Sequence, residues 1–386
     1  MNTWPFFRYF FSYITHARTR QRLLFIAVVG LFISAFSLIV IQGIMGGLQK
    51  GLIARSKSIH GSHLLKFTEP FAGPSKIEKI LSHNNILFYP EIETEVMLKH
   101  KNYVAPAKLH GINLSYRRPE FLQDKDFTGL VMGSDLANKI KLQFLDEVQI
   151  ISPGVTDSLM GEVPRFVSES LSDYLYTELS EVDEFEVWGR SELVQNLLRM
   201  RGHNQIRIFG EVSDELKKEI FDTQIDFRWI TWEEMNQALV WSLNLETKVM
   251  LFLFISMSLL VAIAITSGLL IFYSKIRRDL MSFWILGMPQ DKLINLCYKF
   301  TLVMSGISCT LGGLFGLIAL ELLERHGHDM MPDIFVERTF PVDLNFSHII
   351  VALAIPFFIS IIFSYLSFSF FRKENQSFVS IVRSLS

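Results

Sequence analysis

Cysteine is nearly missing from this chain of 386 residues, which has only Cys297 and Cys309. Both lie in or beside one apolar run, so the long polar stretch ahead of it can form no internal disulfide. A stretch of that size buries a core without staples, and cysteine therefore does not fix the compartment. The net charge of −2 shows no excess of either sign, and no nucleic-acid partner is implied. No G-x-x-x-x-G-K-[ST] phosphate loop, G-x-S-x-G elbow or H-E-x-x-H helix occurs. The chain thus lacks an ATP cradle of the usual kind, and no catalytic residue and no cofactor are assigned. Charge is also missing from the centres of four apolar runs. Proton relays and ion pathways need ionisable groups there, so a hydrophobic substrate, or none, fits better.

Those runs are Leu23–Met45, Val249–Tyr273, Phe300–Leu320 and Ile349–Phe371. Each is about the 20 residues a helix needs to cross a bilayer core. Much of the phenylalanine, 34 residues in all, lies in them as bulky apolar filler. One run precedes a region of ordinary globular composition and three follow it. The expected fold is an integral membrane α-helical protein, four transmembrane helices in a 1+3 arrangement. A large α+β domain is inserted between helices one and two. The segments are 1–22, 23–45 (helix 1), 46–245 (the domain), 249–273 (helix 2), 274–299, 300–320 (helix 3), 321–348, 349–371 (helix 4) and 372–386. The first run is longer than the ~7–15 residues of a signal-peptide core and is read as a retained anchor.

Basic residues in the short flanks set the orientation. Arg8, Arg18, Arg20 and Arg22 precede run one; Lys275, Arg277, Arg278, Lys292 and Lys299 lie between runs two and three; Arg372, Lys373 and Arg383 follow run four. Loop 321–348 is mainly acidic. Both termini and loop 274–299 are therefore expected to be cytoplasmic, and the domain to face the other side.

Within the domain, Pro74–Leu81 reads as a short helix capped by Ser75. Glu93–Leu98, Ala107–Ile112, Glu147–Ile151, 205–209 and Asp226–Ile230 read as strands. Leu130–Ile140 reads as a turn into a helix, and 191–201 and Ser213–Ile220 as helices. Thr231-Trp-Glu-Glu234 is a capping box that starts a helix toward the second span. Residues 152–165 form an excursion bracketed by Pro153 and Pro164, with Leu159, Met160 and Val163 at an apolar tip and Gly154 and Gly161 as turn residues. It is either an ordinary surface loop or a protruding hairpin that docks a partner. Glu169–Glu186, acidic with no basic residue, reads as solvated surface. His60 and His63 read as interfacial polar residues. His326-Gly-His-Asp329 reads as a polar loop, because no further metal ligands cluster beside it. Gly312-x-x-x-Gly316 permits close helix packing, and Pro356 kinks the fourth run. Loop 274–299 reads as an amphipathic cytoplasmic helix ended by Gly287 and restarted after Pro289. Its Met281, Phe283, Trp284 and Leu286 lie on the membrane or dock into a cytosolic partner.

The layout, the large outward domain and the helix ending Ile285-Leu-Gly-Met-Pro-Gln-Asp-Lys292 resemble permeases of the MacB/FtsX-type ABC superfamily. Among them, Val131-Met-Gly-Ser-Asp-Leu-Ala137, Leu145-Asp-Glu-Val-Gln-Ile-Ile-Ser-Pro153, Ser180–Phe185 and Phe340-Pro-Val-Asp343 are similar to segments of the lipoprotein-releasing LolC/LolE type. Met160-Gly-Glu-Val-Pro164 resembles the hook that recruits a periplasmic carrier. Leu145 stands where that family usually has glycine, and the tail Arg372–Ser386 does not match its usual ending.

The resemblance implies a permease in the inner membrane, paired with a second copy or a paralogue and driven by a separate cytosolic ABC ATPase. Leu159, Met160, Gly161, Val163 and Pro164 would bind a LolA-like periplasmic lipoprotein carrier. Met281, Phe283, Trp284, Leu286 and Gly287 would couple to the ATPase. Ile41, Met45, Phe252 and Met257 would line a cavity for the acyl chains of a lipoprotein substrate, in contact with membrane lipid. Two alternatives stand: an FtsX-like regulator of a cell-wall hydrolase, and a MacB-like efflux permease.

Overall fold

The computed structural model describes Arg8 and residues 22–71, 75–157, 163–327, 342–343 and 346–373. The chain divides into two compact units, one of Met1–Gly51 with Ser242–Ser386, the other of Leu52–Trp241.

Among the described residues, four helices are long and apolar enough to cross a membrane, with candidate spans Val28–His60, Gln237–Ile263, Asn295–His326 and Ile349–Ser369. They belong to helices α1 (Arg22–His60), α8 (Gln237–Ile285), α9 (Gln290–His326) and α10 (Phe346–Lys373); the labels α2–α7 fall between the first two. In the unit that holds the spans, Leu38, Ile39, Phe254, Leu320 and Ala352 form one buried cluster, drawing on all four helices. Glycine makes this packing possible. A Cβ at Gly312 would overlap the Phe32 carbonyl, and one at Gly316 would sit 3.1 Å from Ile39. Pro356 lies inside α10.

The second unit is built on a nine-stranded sheet, ordered β3-β7-β4-β6-β5-β2-β8-β1-β9. Its strands are β1 (His63–Phe71), β2 (Leu87–His100), β3 (Tyr103–Ile112), β4 (Leu130–Gly133), β5 (Glu147–Asp157), β6 (Val163–Leu175), β7 (Glu186–Arg190), β8 (His203–Phe209) and β9 (Phe227–Thr231). Strand β2 also pairs with β3, so β3, β7, β4, β6, β5 and β2 close into a ring. Each of the six sends apolar side chains into one core, among them Ile92, Leu109, Met132, Ile150, Leu171 and Val187. Helices α3 (Ser134–Lys139) and α5 (Ser191–Leu198) add Leu136, Ala137, Val194 and Leu197 to it.

Strands β8, β1 and β9 extend the sheet beyond the ring. Their Leu65, Phe67, Ile206 and Ile208 pack with Ile77, Leu81, Leu216 and Ile220, which lie on α2 (Lys76–His83) and α6 (Asp214–Phe221). Ser75 accepts from the Glu78 N–H, and Ser213 from the Leu216 N–H, as N-caps. The Thr231–Glu234 capping box is complete and starts α7 (Trp232–Met235).

Four expectations change. Leu130–Gly133 is a wholly buried strand rather than a turn, because its side chains fill the ring core on one face and pack with Trp188 on the other. The helix read at the start of loop 274–299 is not separate: it continues α8 unbroken to Ile285, since no glycine or proline interrupts residues 274–285, while its stop at Gly287 and restart after Pro289 appear as read. It ends where Gly287 takes a left-handed φ of 95° and the Met288 N–H reaches back to the Phe283 carbonyl. The acidic stretch 169–186 is not all solvated, for Asp183 and Glu186 are buried. Asp183 accepts from the N–H and hydroxyl of Thr177 at the entrance to α4 (Ser180–Phe185). Finally, His60 is more than a polar surface residue: it is half-buried, with its Nε2 3.1 Å from Glu186 Oε1.

Candidate functional site

Strand register gathers the charge of the Leu52–Trp241 unit in one place. Across β2 and β3, Glu93 faces His110; across β2 and β8, Glu91 faces Gln205; across β3 and β7, Lys108 faces Glu186. Alternation along β8 turns Gln205 and Arg207 to one face, while Ile206 and Ile208 go to the apolar core on the other.

Arg207 is the hub. Its Nε donates to Glu91 Oε1 at 2.8 Å, and its NH2 lies 2.6 Å from the same oxygen and 3.3 Å from Glu93 Oε2. Its NH1 donates to the His60 carbonyl at 2.6 Å. Gln205 Nε2 donates to Glu91 Oε1 at 2.7 Å and to Glu93 Oε2 at 2.9 Å. His60 Nε2 stands 3.1 Å from Glu186 Oε1, and His110 stacks on Trp188 at 5.4 Å between ring centres. Gly61 is required beside this hub: its φ is +74°, and a Cβ there would meet the Ile208 carbonyl and the Arg207 stem.

Burial alone would push the Glu91 carboxyl up, but Arg207, His110 and Gln205 hold it well below the usual carboxylate range. Glu186 is likewise pushed up by burial and drawn down by His60, His110 and Arg207, to about 2. For His110, burial works against the proton, yet Glu91, Glu186 and Glu93 raise its value. Among the described residues, Glu91, Glu93 and His110 bring one ligand atom each to within 4.8 Å of one another. The cluster opens on a cleft of about 910 Å³, lined by His60, Glu93, Glu186 and Arg207 together with Lys66 and Arg228. None of the cluster residues stood out in the sequence as a site, because His60, Glu91 with Glu93, His110, Glu186 and Arg207 lie on five separate elements.

The excursion of residues 152–165 lies at the end of the β5–β6 hairpin. Strand β5 leaves its pairing with β2 at Ile151, and β6 joins β4 only from Leu171. Beyond that the two strands pair with each other, Ser152 with Arg165, Thr156 with Pro164 and Asp157 with Val163. The outer part is thus an arm of two strands, with a bulge across Pro153–Val155. Pro164 is exposed on the arm. Leu159, Met160 and Gly161 lie outside the described residues.

Of the coupling set, Met281, Phe283 and Trp284 belong to the end of α8, and Leu286 and Gly287 to the turn into α9. Leu286 is 82 % exposed and Phe283 half-buried. Of the acyl-chain set, Phe252 is 69 % exposed, with Ile41 and Met257 also exposed and Met45 half-buried. None of the four belongs to the packed cluster around Ile39. The structure therefore brings neither set together as an enclosed site among the described residues.

Residues 250–376 match the family described as FtsX-like permease C-terminal. That stretch holds most of the last three apolar helices and the turn at Gly287. The match and the helices support a multi-pass membrane protein with the permease part of an ABC-type system. No curated protein matches the chain by sequence. A solved structure, the extracellular domain of the noncanonic ABC-type transporter YknZ from Gram-positive bacteria, is similar over 44 % of this chain and 100 % of its own, at 11 % identity and a TM-score of 0.29.

Proposed function

We propose that this chain is the permease subunit of an ABC-type complex that lifts outer-membrane-directed lipoproteins from the inner membrane and passes them to a periplasmic carrier. Its termini and the turn at Gly287 lie in the cytoplasm, and the nine-stranded unit lies in the periplasm. A second permease, a copy or a paralogue, completes the pair. A separate cytosolic ATPase supplies the energy. The FtsX-like permease match of residues 250–376 supports the ABC assignment.

The lipoprotein assignment rests on one observation, the two-stranded arm of β5 and β6, paired out to Asp157 with Val163. In sequence Leu159, Met160 and Val163 are the apolar residues between and beside these strands, and they suit a partner with an apolar face. Pro164 offers no N–H on the return strand and stiffens it. By resemblance to the hook, the partner is a LolA-like carrier. Uncharged residues such as Ile41, Met45, Phe252 and Met257 suit contact with acyl chains, where a charge is costly.

The test is capture of the carrier by the solubilised complex. Met160→Asp and Pro164→Gly should each lose the carrier while ATPase assembly persists. Normal capture by both variants removes the hook assignment and favours FtsX-like regulation.

A further inference from the structure

We propose that strand β9 is a docking edge, where an extended acidic peptide of a partner protein adds as a tenth strand. β9 ends the sheet and pairs with β1 alone, whereas β3 at the other end closes onto β2. The outer N–H and C=O groups of an edge strand invite pairing, and edges are usually guarded by bulges, prolines or charge. Phe227–Thr231 has no proline, and its five pairs with β1 run without an irregularity. None of its residues is fully buried.

Charge selects the occupant. One row of residues crosses the sheet from Glu91 on β2 through Gln205 on β8 and Lys66 on β1 to Arg228 on β9. Its acid sits at the inner end and is held by Arg207. Its two cations stand side by side at the outer end, both exposed and both on the wall of the cleft. Like charges directly opposite each other across a strand pair are destabilising. Among the described residues, neither Lys66 nor Arg228 has an ion-pair or hydrogen-bond partner. The acids of the cleft are engaged elsewhere: Glu93 with Arg207, Glu186 with His60, and Glu234 with the Thr231 N–H. Glu95 lies opposite Lys108 in register, and Glu181, on α4, is the remaining acid of the lining.

The next place in the row, beyond Arg228, belongs to whatever pairs with β9. A carboxylate there would face Arg228 directly and stand one strand away from Lys66, which relieves the like-charge pair. Alternation sets the rest of the pattern. Ile230 shares the cleft face with Arg228, while Phe227 and Trp229 turn to the apolar cluster that includes α2 and α6. The incoming strand should therefore carry one acid among apolar and β-branched residues. A second copy of this chain fits worse, because its β9 brings another arginine and no acid to the edge.

The experiment uses the full chain in nanodiscs at low salt. The probe is a fluorescent, strand-length peptide of Val and Thr with one central Glu, and binding is read by anisotropy. A twin peptide carries Lys at the centre. The Glu peptide should bind, and the Lys twin about tenfold more weakly. Arg228→Glu should reverse that preference, a result that loss of folding cannot produce. N-methylation of alternate peptide residues should abolish binding in one pattern and spare it in the other, because only every second N–H meets β9. Failure of the Glu peptide to bind overturns the proposal and leaves Arg228 as a guard of the edge. A preference unchanged by Arg228→Glu, or binding that survives both methylation patterns, overturns it as well. Co-flotation of the nanodiscs with phosphatidylglycerol vesicles in place of peptide binding would give the two cations to lipid.

Discussion

Arg207 and Glu91 meet at 2.6 Å inside the nine-stranded unit, on β8 and β2, far apart in sequence and both buried. Glu91 could not stay ionised there without the guanidinium, and the guanidinium spends its remaining donors on Glu93 and the His60 carbonyl. The pair therefore ties the last residue of α1 to two strands of the sheet.

Removing the hub should unfold the unit readily. Arg207→Met leaves the buried Glu91 carboxylate without its guanidinium, at a cost of about 3–5 kcal/mol. Arg228→Met, an exposed cation on the same cleft, should cost within about 0.5 kcal/mol. Thermal unfolding of the two variants in detergent, beside the parent, makes the comparison; equal losses would contradict the hub.

Glu186 sets an acid limit. Its folded value, about 2, lies below the ordinary 4.5. Its carboxylate therefore stabilises the fold fully above about pH 4.5, and that contribution drains away as pH falls toward 2. Glu186→Gln should be less stable than the parent at pH 7, and its stability should fall less steeply between pH 4.5 and 2. Denaturation at stepped pH with a chelator present reads both features, and parallel acid limbs would refute the pairing.

Two glycines of α9 should answer oppositely to the same change. At Gly312 a methyl group meets the Phe32 carbonyl and, at 3.1 Å, Ala35. At Gly306 the nearest atom is Phe357 at 3.5 Å, an ordinary contact. Gly312→Ala should destabilise by about 1–3 kcal/mol through overpacking, whereas Gly306→Ala should be neutral or gain up to about 1 kcal/mol of helix propensity. Melting curves of the detergent-solubilised variants decide it.

The turn between α8 and α9 carries the ATPase prediction. Ile285 and Leu286 are 68 % and 82 % exposed. Ile285→Ser with Leu286→Ser should weaken ATPase capture about tenfold or more, the usual loss when apolar anchors leave an interface. Trp284→Ala should act in the same direction. Unchanged co-purification and unchanged ATP hydrolysis would remove the turn from the interface.

Legibility in the sequence followed the range of the interactions. The apolar runs, the Ser75 and Ser213 helix starts and the Thr231 capping box are written in neighbouring residues, and they appear as read. Leu130–Gly133 misled because four consecutive buried residues carry no period, so strand and turn look alike. The apolar run ends at Tyr273, yet the end of an apolar run does not end a helix; Gly287 and Pro289 do. The Glu91–Glu93–His110–Glu186–Arg207 cluster was invisible because strand register, a long-range property, assembles it. One signal was available: Gln205-Ile-Arg207-Ile208 alternates polar with apolar, which marks a strand with a polar inward face.

Lipoprotein release is tested most directly by depleting the chain in its host and tracking newly made outer-membrane lipoproteins between the two membranes. The account predicts that acylated lipoproteins accumulate in the inner membrane as the chain disappears, and that a Met160→Asp copy fails to restore their passage. Unchanged sorting in depleted cells would contradict it and leave an ABC-type permease with another cargo or none.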